Sequence, residues 1–216
     1  MKAHSYIPAL SHDWLTPLYD CLISWTMPES TFKRHLIEQT RIKSGDRVLD
    51  LGCGTATLTL LIKKTHPEAT VIGLDGDPKI LDIAKKKADQ AGIDITLDKG
   101  MSFDLPYSDD SFDRVVSSLV FHHLDREDKV ATFGEVHRVL RAGGELHFAD
   151  FGRPRDVLMR IASWPWQLFD GFKTTADNVN GLLPELIRSA GFVEVRELAH
   201  FMTLFGTLSL YAARKV

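Results

Sequence analysis

The sequence predicts an α/β fold in which helices cover both faces of a parallel sheet. Short apolar runs alternate with longer amphipathic segments between residues 47 and 190, the pattern of repeated strand–helix units. The predicted strands are 47–51, 70–74, 93–97, 114–119 and 145–149. The predicted helices are 56–65, 78–91, 126–140 and 183–190.

Proline and glycine positions indicate where these helices begin and end. Pro78, after Asp77, and Pro184 each fit the first turn of a helix, where no backbone N–H is needed. Gly92 and Gly143 are predicted to end helices, because glycine readily adopts the left-handed conformation found there.

The C-terminal region differs from the alternating core. Two strand-like runs, 193–198 and 201–213, follow each other closely enough to pair antiparallel. The sequence therefore predicts a mostly parallel sheet with an antiparallel hairpin at one edge.

Composition predicts a single soluble domain. The 216 residues are 44% hydrophobic and 25% charged, and the net charge of −3 argues against a nucleic-acid partner. The run 85–87 is a lysine-rich helix face. Cys21 and Cys53 form no disulfide pattern, and no signal or membrane-spanning run is evident. We expect a cytoplasmic protein, with peripheral membrane attachment left open.

The most informative segment is 48–56, where an apolar strand leads into a glycine-rich turn. Gly52 and Gly54 allow the backbone to approach a ligand closely, and Asp75 ends the next apolar run, where it can bind ribose hydroxyls. Thr57 replaces the third glycine of the dinucleotide fingerprint, and Asp50 would disfavour a pyrophosphate but tolerate a cation. The loop therefore favours S-adenosylmethionine over a nicotinamide cofactor.

Further motifs follow this loop in order. They lie at 73–75, 105–107, 111–113, 117–124 and 138–146. The ordered set resembles the class I S-adenosylmethionine-dependent methyltransferases, and in style the ubiquinone/menaquinone-biosynthesis (UbiE-like) small-molecule enzymes. The resemblance implies a Rossmann-like, seven-stranded, mostly parallel sheet with an antiparallel C-terminal hairpin and helices on both faces.

The resemblance also implies how one methyltransferase domain is organised. Residues 1–39 would form a helical lid, 40–152 the cofactor-binding core, 153–182 a substrate lid, and 183–216 the last helix and hairpin. S-adenosyl-L-methionine would be the cofactor and S-adenosyl-L-homocysteine the product.

The expected cofactor-binding residues lie mostly at the ends of the predicted strands. They are Tyr19, Asp50, Gly52, Cys53, Gly54, Asp75, Gly76, Met101, Ser102, Phe103 and Ser118. Two positions depart from the family pattern. Ala56 replaces a frequent third glycine, and Met101 stands where an Asp often binds the adenine amino group. Adenine would then rely on backbone groups near Ser102 and Phe103, or on Asp104.

His122, His123 and Asp150 are the candidate catalytic residues, because they follow strands at the edge where the methyl group should lie. A histidine could deprotonate the acceptor, or could simply pack at the strand exit. Adjacent side chains are expected to diverge, so one histidine, more readily His122, would face the pocket. Asp150 could orient a hydroxyl or cap a turn. Because adjacent histidines lack helical ligand spacing, a metal site with Asp125 is not expected.

Aromatic residues are concentrated in the two segments outside the alternating core, which hold all four tryptophans. The predicted substrate-binding residues are Trp14, Phe121, Trp164, Trp166 and Phe172. Each ring alone could be ordinary core, but the set predicts an apolar substrate pocket.

These observations predict methyl transfer to a small, apolar, ring-containing acceptor that is quinol- or phenol-like, through O- or C-methylation. The protein would be a monomer or homodimer with no nucleic-acid partner and no integral membrane segment. A protein side chain as acceptor and a non-catalytic S-adenosylmethionine-binding role remain alternatives. The loop argues against a nicotinamide-dependent reductase, and two cysteines are too few for an arsenite methyltransferase.

Overall fold

A computed structural model of the protein describes residues 29–216. Its sheet has seven strands: β1 Arg47–Leu51, β2 Thr70–Asp75, β3 Thr96–Lys99, β4 Phe112–Ser118, β5 Leu140–Phe151, β6 Val193–Thr203 and β7 Gly206–Arg214. Its α-helices are α1 Glu29–Thr40, α2 Thr57–Thr65, α3 Pro78–Ala91, α4 Arg126–Val139, α5 Val157–Ala162, α6 Trp164–Asp170, α7 Phe172–Val179 and α8 Leu183–Ser189. A short 3₁₀ turn, Phe121–His123, follows β4.

The strand order is β3-β2-β1-β4-β5-β7-β6, which confirms the predicted fold class. Strands β1 to β5 pair in parallel, and β7 runs antiparallel to both β5 and β6. The order reverses at β1, so the carboxyl ends of β1 and β4 flank the crevice where ligands bind in open α/β sheets.

Helices cover both faces because neighbouring strand residues point in opposite directions. In β1, Leu49 packs with Phe133 of α4 in one apolar cluster, whereas Val48 packs with Phe32 of α1 in another. Both clusters are fully buried at these residues. The sheet is thus held rigidly, and the loops at its carboxyl edge are fixed in position.

The predicted helix starts at the prolines are confirmed. Asp77 caps α3 by accepting a 2.8 Å hydrogen bond from the Lys79 backbone N–H, and Pro184 lies in the first turn of α8. Gly92 ends α3 in the left-handed conformation, as expected.

The main boundary errors are four. Strand β5 spans Leu140–Phe151 rather than 145–149 and begins directly after α4. Gly143 does not end a helix, because α4 stops at Val139 and the Gly143 N–H bonds to the Lys215 carbonyl within the sheet. Strand β3 begins at Thr96 rather than 93, because Ile93 and Ile95 pack against the helix cluster around Ala84. The hairpin turns at residues 204–205 rather than near 199–200, so β6 is longer and β7 shorter than predicted.

Candidate active site

The glycine-rich loop connects β1 to α2 and is tied to β2 by backbone hydrogen bonds. The N–H groups of Gly52 and Cys53 donate to the Leu74 carbonyl at 2.8 and 2.9 Å. Gly52 has a φ of +67°, and a Cβ there would lie 2.4 Å from a methyl group of Val120. No other residue fits this position without displacing Val120, which explains the glycine.

Ala56 adopts the conformation of the glycine that it replaces. Its φ is +60° and ψ is 27°, in the left-handed region immediately before α2. The chain therefore holds an alanine in a conformation that L-residues other than glycine rarely adopt.

Asp75 lies at the end of β2 and holds the loop through both of its oxygens. Oδ2 accepts from the Gly54 N–H at 2.9 Å, and Oδ1 accepts from the Asp77 N–H at 3.0 Å. Burial raises the pKa of this carboxyl, and the two backbone N–H groups partly oppose that shift. Each carboxylate oxygen has a further lone pair, so Asp75 can still accept from ribose hydroxyls.

Asp50 lies beneath the loop, where it is 1% exposed. The Thr59 hydroxyl donates to its Oδ2 at 2.6 Å. Burial raises its pKa to about 6, with Thr59 and Lys33 opposing the shift. A role of Asp50 toward a cationic cofactor stays a prediction, and Thr59 is a partner that the motif alone does not predict.

Cys53 has a packing role in the loop. A Cβ on Gly73 would lie 2.9 Å from its Sγ, so the thiol fills the space that this glycine leaves in β2. Burial strongly raises the pKa of the thiol, which keeps it protonated and unreactive.

The expected adenine-binding residues form a tight turn after β3. Met101 and Asp104 pair in an isolated antiparallel bridge, and the Ser102 hydroxyl lies 3.0 Å from that of Thr132 on α4. Asp104 is exposed and Phe103 is half-buried. The Ser102 side chain is thus anchored to α4, and Met101 presents an apolar, half-buried surface.

Ser118, at the end of β4, carries a buried hydroxyl without a hydrogen-bond partner. It lies two residues before Val120, which contacts the glycine loop. Buried polar atoms are normally satisfied, so an unpaired hydroxyl at a sheet edge fits a position that a ligand completes. Together with the loop and Asp75, it suits a nucleoside such as that of S-adenosylmethionine.

Asp150, at the end of β5, is fully buried and orients His122. Its Oδ1 lies 2.8 Å from His122 Nδ1, and its Oδ2 accepts from the Phe121 N–H at 2.7 Å. Oδ1 also accepts from the Phe151 N–H and from the Asn178 side-chain amide. An ionised carboxylate only accepts, so His122 donates to Asp150 through Nδ1.

His122 and His123 do not diverge as expected from their adjacency. Their ring centroids are 4.0 Å apart, and both rings face Asp170 at the end of α6. His123 Nδ1 is 3.1 Å from Asp170 Oδ1, and His122 Nε2 is 3.9 Å from Asp170 Oδ2. Both histidines project to the same side because the 3₁₀ turn packs beneath the lid helices.

The pKa values of His123 and Asp170 are both lowered, for different reasons. Burial, together with the nearby His122, lowers the pKa of His123. Burial alone would raise the pKa of Asp170, but the hydrogen bond and charge of His123 outweigh it, so this pKa is lowered. Asp125, the acid considered from the sequence, instead caps α4 by accepting from the Asp128 N–H at 3.0 Å.

The predicted aromatic residues fall into three groups. Trp166 is buried, stacks on Phe151 at 4.4 Å and contacts the His122 ring edge-on at 5.7 Å. Trp164 and Phe172 are 62% and 61% exposed. Phe121 lies in the core, stacked on Phe133 at 4.6 Å. Trp14 and Tyr19 lie outside the described residues.

Sequence reasoning missed Asp170 and Asn178. Both lie in the aromatic-rich segment between β5 and α8, far in sequence from the residues that they contact. The available signal was weak: Asp170 is an acidic residue within a largely apolar run. Nothing in the run indicates that its carboxylate would lie against the histidines.

Comparison with known proteins decides the family. A family model described as a methyltransferase domain matches residues 48–144. An uncharacterized methyltransferase of Synechocystis is 34% identical over 173 residues, covering 78% of this chain and 77% of the relative. The chain belongs to the S-adenosylmethionine-dependent methyltransferases.

Two further matches have named activities. A demethylmenaquinone methyltransferase of Lactobacillus johnsonii is 32% identical over 149 residues, covering 67% of this chain and 60% of the relative. The solved phosphoethanolamine N-methyltransferase 2 of Haemonchus contortus, in complex with S-adenosyl-L-methionine, is 15% identical with a TM-score of 0.71, covering 86% of this chain and 52% of that one. At 15% identity, the second match shows only that the fold is shared.

The methyltransferase is therefore an S-adenosylmethionine-dependent enzyme with the family's seven-stranded sheet. In the described part of the chain, no helix is both long and apolar enough to cross a membrane. The match begins at Val48, so it includes the whole glycine-rich loop.

Proposed function

We propose that this methyltransferase transfers a methyl group to a small, apolar, ring-containing acceptor with a hydroxyl group, such as a quinol or phenol. The observation that carries the proposal is the buried Asp150–His122 pair set against the stacked rings of Phe151 and Trp166. A flat aromatic wall with one polar end suits a ring that carries a hydroxyl.

The chemistry asks little of the enzyme beyond positioning and charge. The sulfonium S–CH₃ bond breaks as a new O–CH₃ or C–CH₃ bond forms, and S-adenosylhomocysteine leaves. The acceptor loses one proton, from its hydroxyl or, after C-methylation, from the ring carbon. His122 would accept the proton of the acceptor hydroxyl, and Asp150 would orient the His122 ring. Asp75 and the glycine-rich loop would hold the methyl donor.

Contacts in the structure connect the cofactor loop with the turn that carries His122, which supports these separate roles. Val120 touches the Gly52 position of the cofactor loop, and the 3₁₀ turn with His122 begins one residue later. The chain thus leads directly from the cofactor loop to the polar end of the acceptor wall. The names of quinone-modifying relatives, such as the Lactobacillus enzyme, point to the same acceptor class.

The lid segments complete the proposal. Residues 153–182 fold into α5, α6 and α7, which supply Trp166, Asp170 and Asn178 to the acceptor side. We assign this segment as the substrate lid. Of the N-terminal lid expected at residues 1–39, positions 1–28 lie outside the described residues, and the rest forms α1, which packs against the sheet with Val48. We also propose a cytoplasmic protein that reaches its acceptor at the membrane surface when the acceptor is lipid-soluble.

The test uses methyl-labelled S-adenosylmethionine in a cell extract, separated into organic, aqueous and macromolecular fractions. We expect label in the organic fraction with the wild-type enzyme and none with Asp75→Ala. Label in protein would refute the acceptor class but leave the methyltransferase intact. Cofactor binding without label in any fraction would favour a non-catalytic role.

A further inference from the structure

The strongest unexplained cluster in the described residues is formed by His122, His123 and Asp170. Each offers one ligand atom, and the three atoms lie within 4.8 Å of one another. His122 and His123 lie on the 3₁₀ turn after β4, and Asp170 is the last residue of α6. The cluster therefore joins the sheet edge to the lid.

His122 is oriented as metal-binding histidines usually are. Metal-bound imidazoles typically donate their second ring N–H to a carboxylate, which fixes the tautomer. Here Asp150 Oδ1 accepts a hydrogen bond from His122 Nδ1 at 2.8 Å. His122 Nε2 lies 3.9 Å from Asp170 Oδ2. That distance is too long for a hydrogen bond but suits two ligands of one ion.

His123 supplies the second nitrogen. Its Nδ1 is 3.1 Å from Asp170 Oδ1. Zinc–nitrogen and zinc–oxygen bonds of about 2.0–2.2 Å place neighbouring ligand atoms about 3–4 Å apart, close to these spacings. If a metal binds His123 Nδ1, the proton on that nitrogen moves to Nε2 of the same ring. The charge of the imidazole then stays the same.

We propose that His122, His123 and Asp170 bind one divalent transition-metal ion of the Zn²⁺ class. Two histidines and one carboxylate form a three-ligand set that leaves positions open for a further ligand. The carboxylates of Asp150 and Asp170 balance the two positive charges of the ion. The sequence-based expectation of no metal rested on the adjacency of the two histidines, but the 3₁₀ turn brings both rings to Asp170, while Asp125 caps α4.

The proposal rests on the proposed function for one point only, the identity of the fourth ligand. The acceptor hydroxyl would occupy an open position, where the ion lowers its pKa and its proton passes to water. His122 would then serve as a ligand rather than as the base. Metal binding itself is measurable without any acceptor.

The experiment measures binding of Zn²⁺ by equilibrium dialysis and of Co²⁺ by its visible absorption, using the full chain after chelator treatment. We expect one equivalent bound by the wild-type enzyme and by His35→Gln, which alters an exposed histidine paired with Glu38. Asp170→Asn and His123→Gln should weaken binding at least 100-fold. Asp150→Asn should weaken it 10- to 100-fold.

S-adenosylmethionine affinity, measured on the same samples, separates this proposal from the first. Asp170→Asn should bind the cofactor as the wild-type enzyme does, which shows that it is folded. Equal metal binding by wild type, Asp170→Asn and His123→Gln, or no binding by wild type, would overturn the metal site. Neither result would alter the assignment of the cofactor loop.

Discussion

The cofactor side and the acceptor side lie at the edge of the sheet where the parallel strands end. They hold their polar groups in different ways. On the cofactor side, the Gly52 N–H donates to the Leu74 carbonyl and the Gly54 N–H to the Asp75 carboxylate, all within one β–α–β unit. On the acceptor side, His122 contacts Asp150 from β5 and faces Asp170 from the lid. The first side is a local structure, and the second depends on long-range packing.

This difference explains what each side can contribute to the reaction. A β–α–β loop binds the same nucleoside in many enzymes because its backbone groups make most of the contacts. The acceptor side is built from side chains on separate elements, so it can change between relatives without disturbing the sheet. We therefore expect cofactor affinity and acceptor turnover to respond to different substitutions.

The largest expected effect is on the cofactor side. Asp75→Ala should weaken S-adenosylmethionine binding by at least about 100-fold, because it removes charge-assisted bonds to ribose. Calorimetric titration measures the affinity. Asp77→Ala is the matched control: it removes the cap of α3, which should cost about 1 kcal/mol of stability and leave affinity nearly unchanged. Equal affinity in wild type and Asp75→Ala would remove Asp75 from the site.

The next effect belongs to the acceptor side. His122→Gln should lower turnover about 100-fold while cofactor affinity stays within twofold, because His122 is the group proposed to act at the acceptor hydroxyl, whereas Asp75 and the loop hold the nucleoside. Label transfer and calorimetry measure the two quantities. The control is His137→Gln, which alters a histidine whose ring packs edge-on against Phe192. It should change neither turnover nor cofactor affinity. A matching fall in both variants would indicate a general packing effect.

The lid provides a smaller contrast between two tryptophans. Trp166→Leu should raise the KM for the acceptor about tenfold, because it removes the ring that stacks on Phe151 beside His122. Trp164→Leu should leave KM within twofold, because Trp164 is 62% exposed. Steady-state kinetics with the identified acceptor measures both. If Trp164→Leu has the larger effect, the exposed face of the lid binds the acceptor.

The smallest expected effect concerns stability. The pKa of Asp50 is raised to about 6, so its contribution to stability is complete below the ordinary value of 3.8 and is lost as the pH rises through 6. Without cofactor, Asp50→Asn should therefore be more stable than wild type by about 1 kcal/mol at pH 7.5. The full pKa shift, in which the opposing attraction to Lys33 is already included, corresponds to about 3 kcal/mol, and the imperfect replacement of the carboxyl by an amide beside Thr59 reduces this gain.

Urea unfolding of both proteins at pH 4 and pH 7.5 measures this difference. The advantage of Asp50→Asn should shrink towards pH 4, where the wild-type carboxyl is protonated in the native state. A constant difference at both pH values would show that ionisation of Asp50 is not its cause.

The sequence alone determined the sheet class, the glycine loop and the cofactor. These follow from local rules: strand and helix periods, proline at a helix start, and glycines in the turn that follows an apolar strand. Such features act over a few residues, so they can be recognised in order along the chain. The position of Asp75 follows in the same way from the end of β2.

Only the tertiary structure decided how the acceptor side is assembled. Asp170 reaches the histidines and Asn178 reaches Asp150 because the lid helices fold back over β5, and no local pattern encodes that path. The same holds for Gly143, which resembles a helix end but pairs with the C-terminal strand. Contacts between distant elements depend on packing of the whole core, and in this methyltransferase they gather the polar groups beside the acceptor wall.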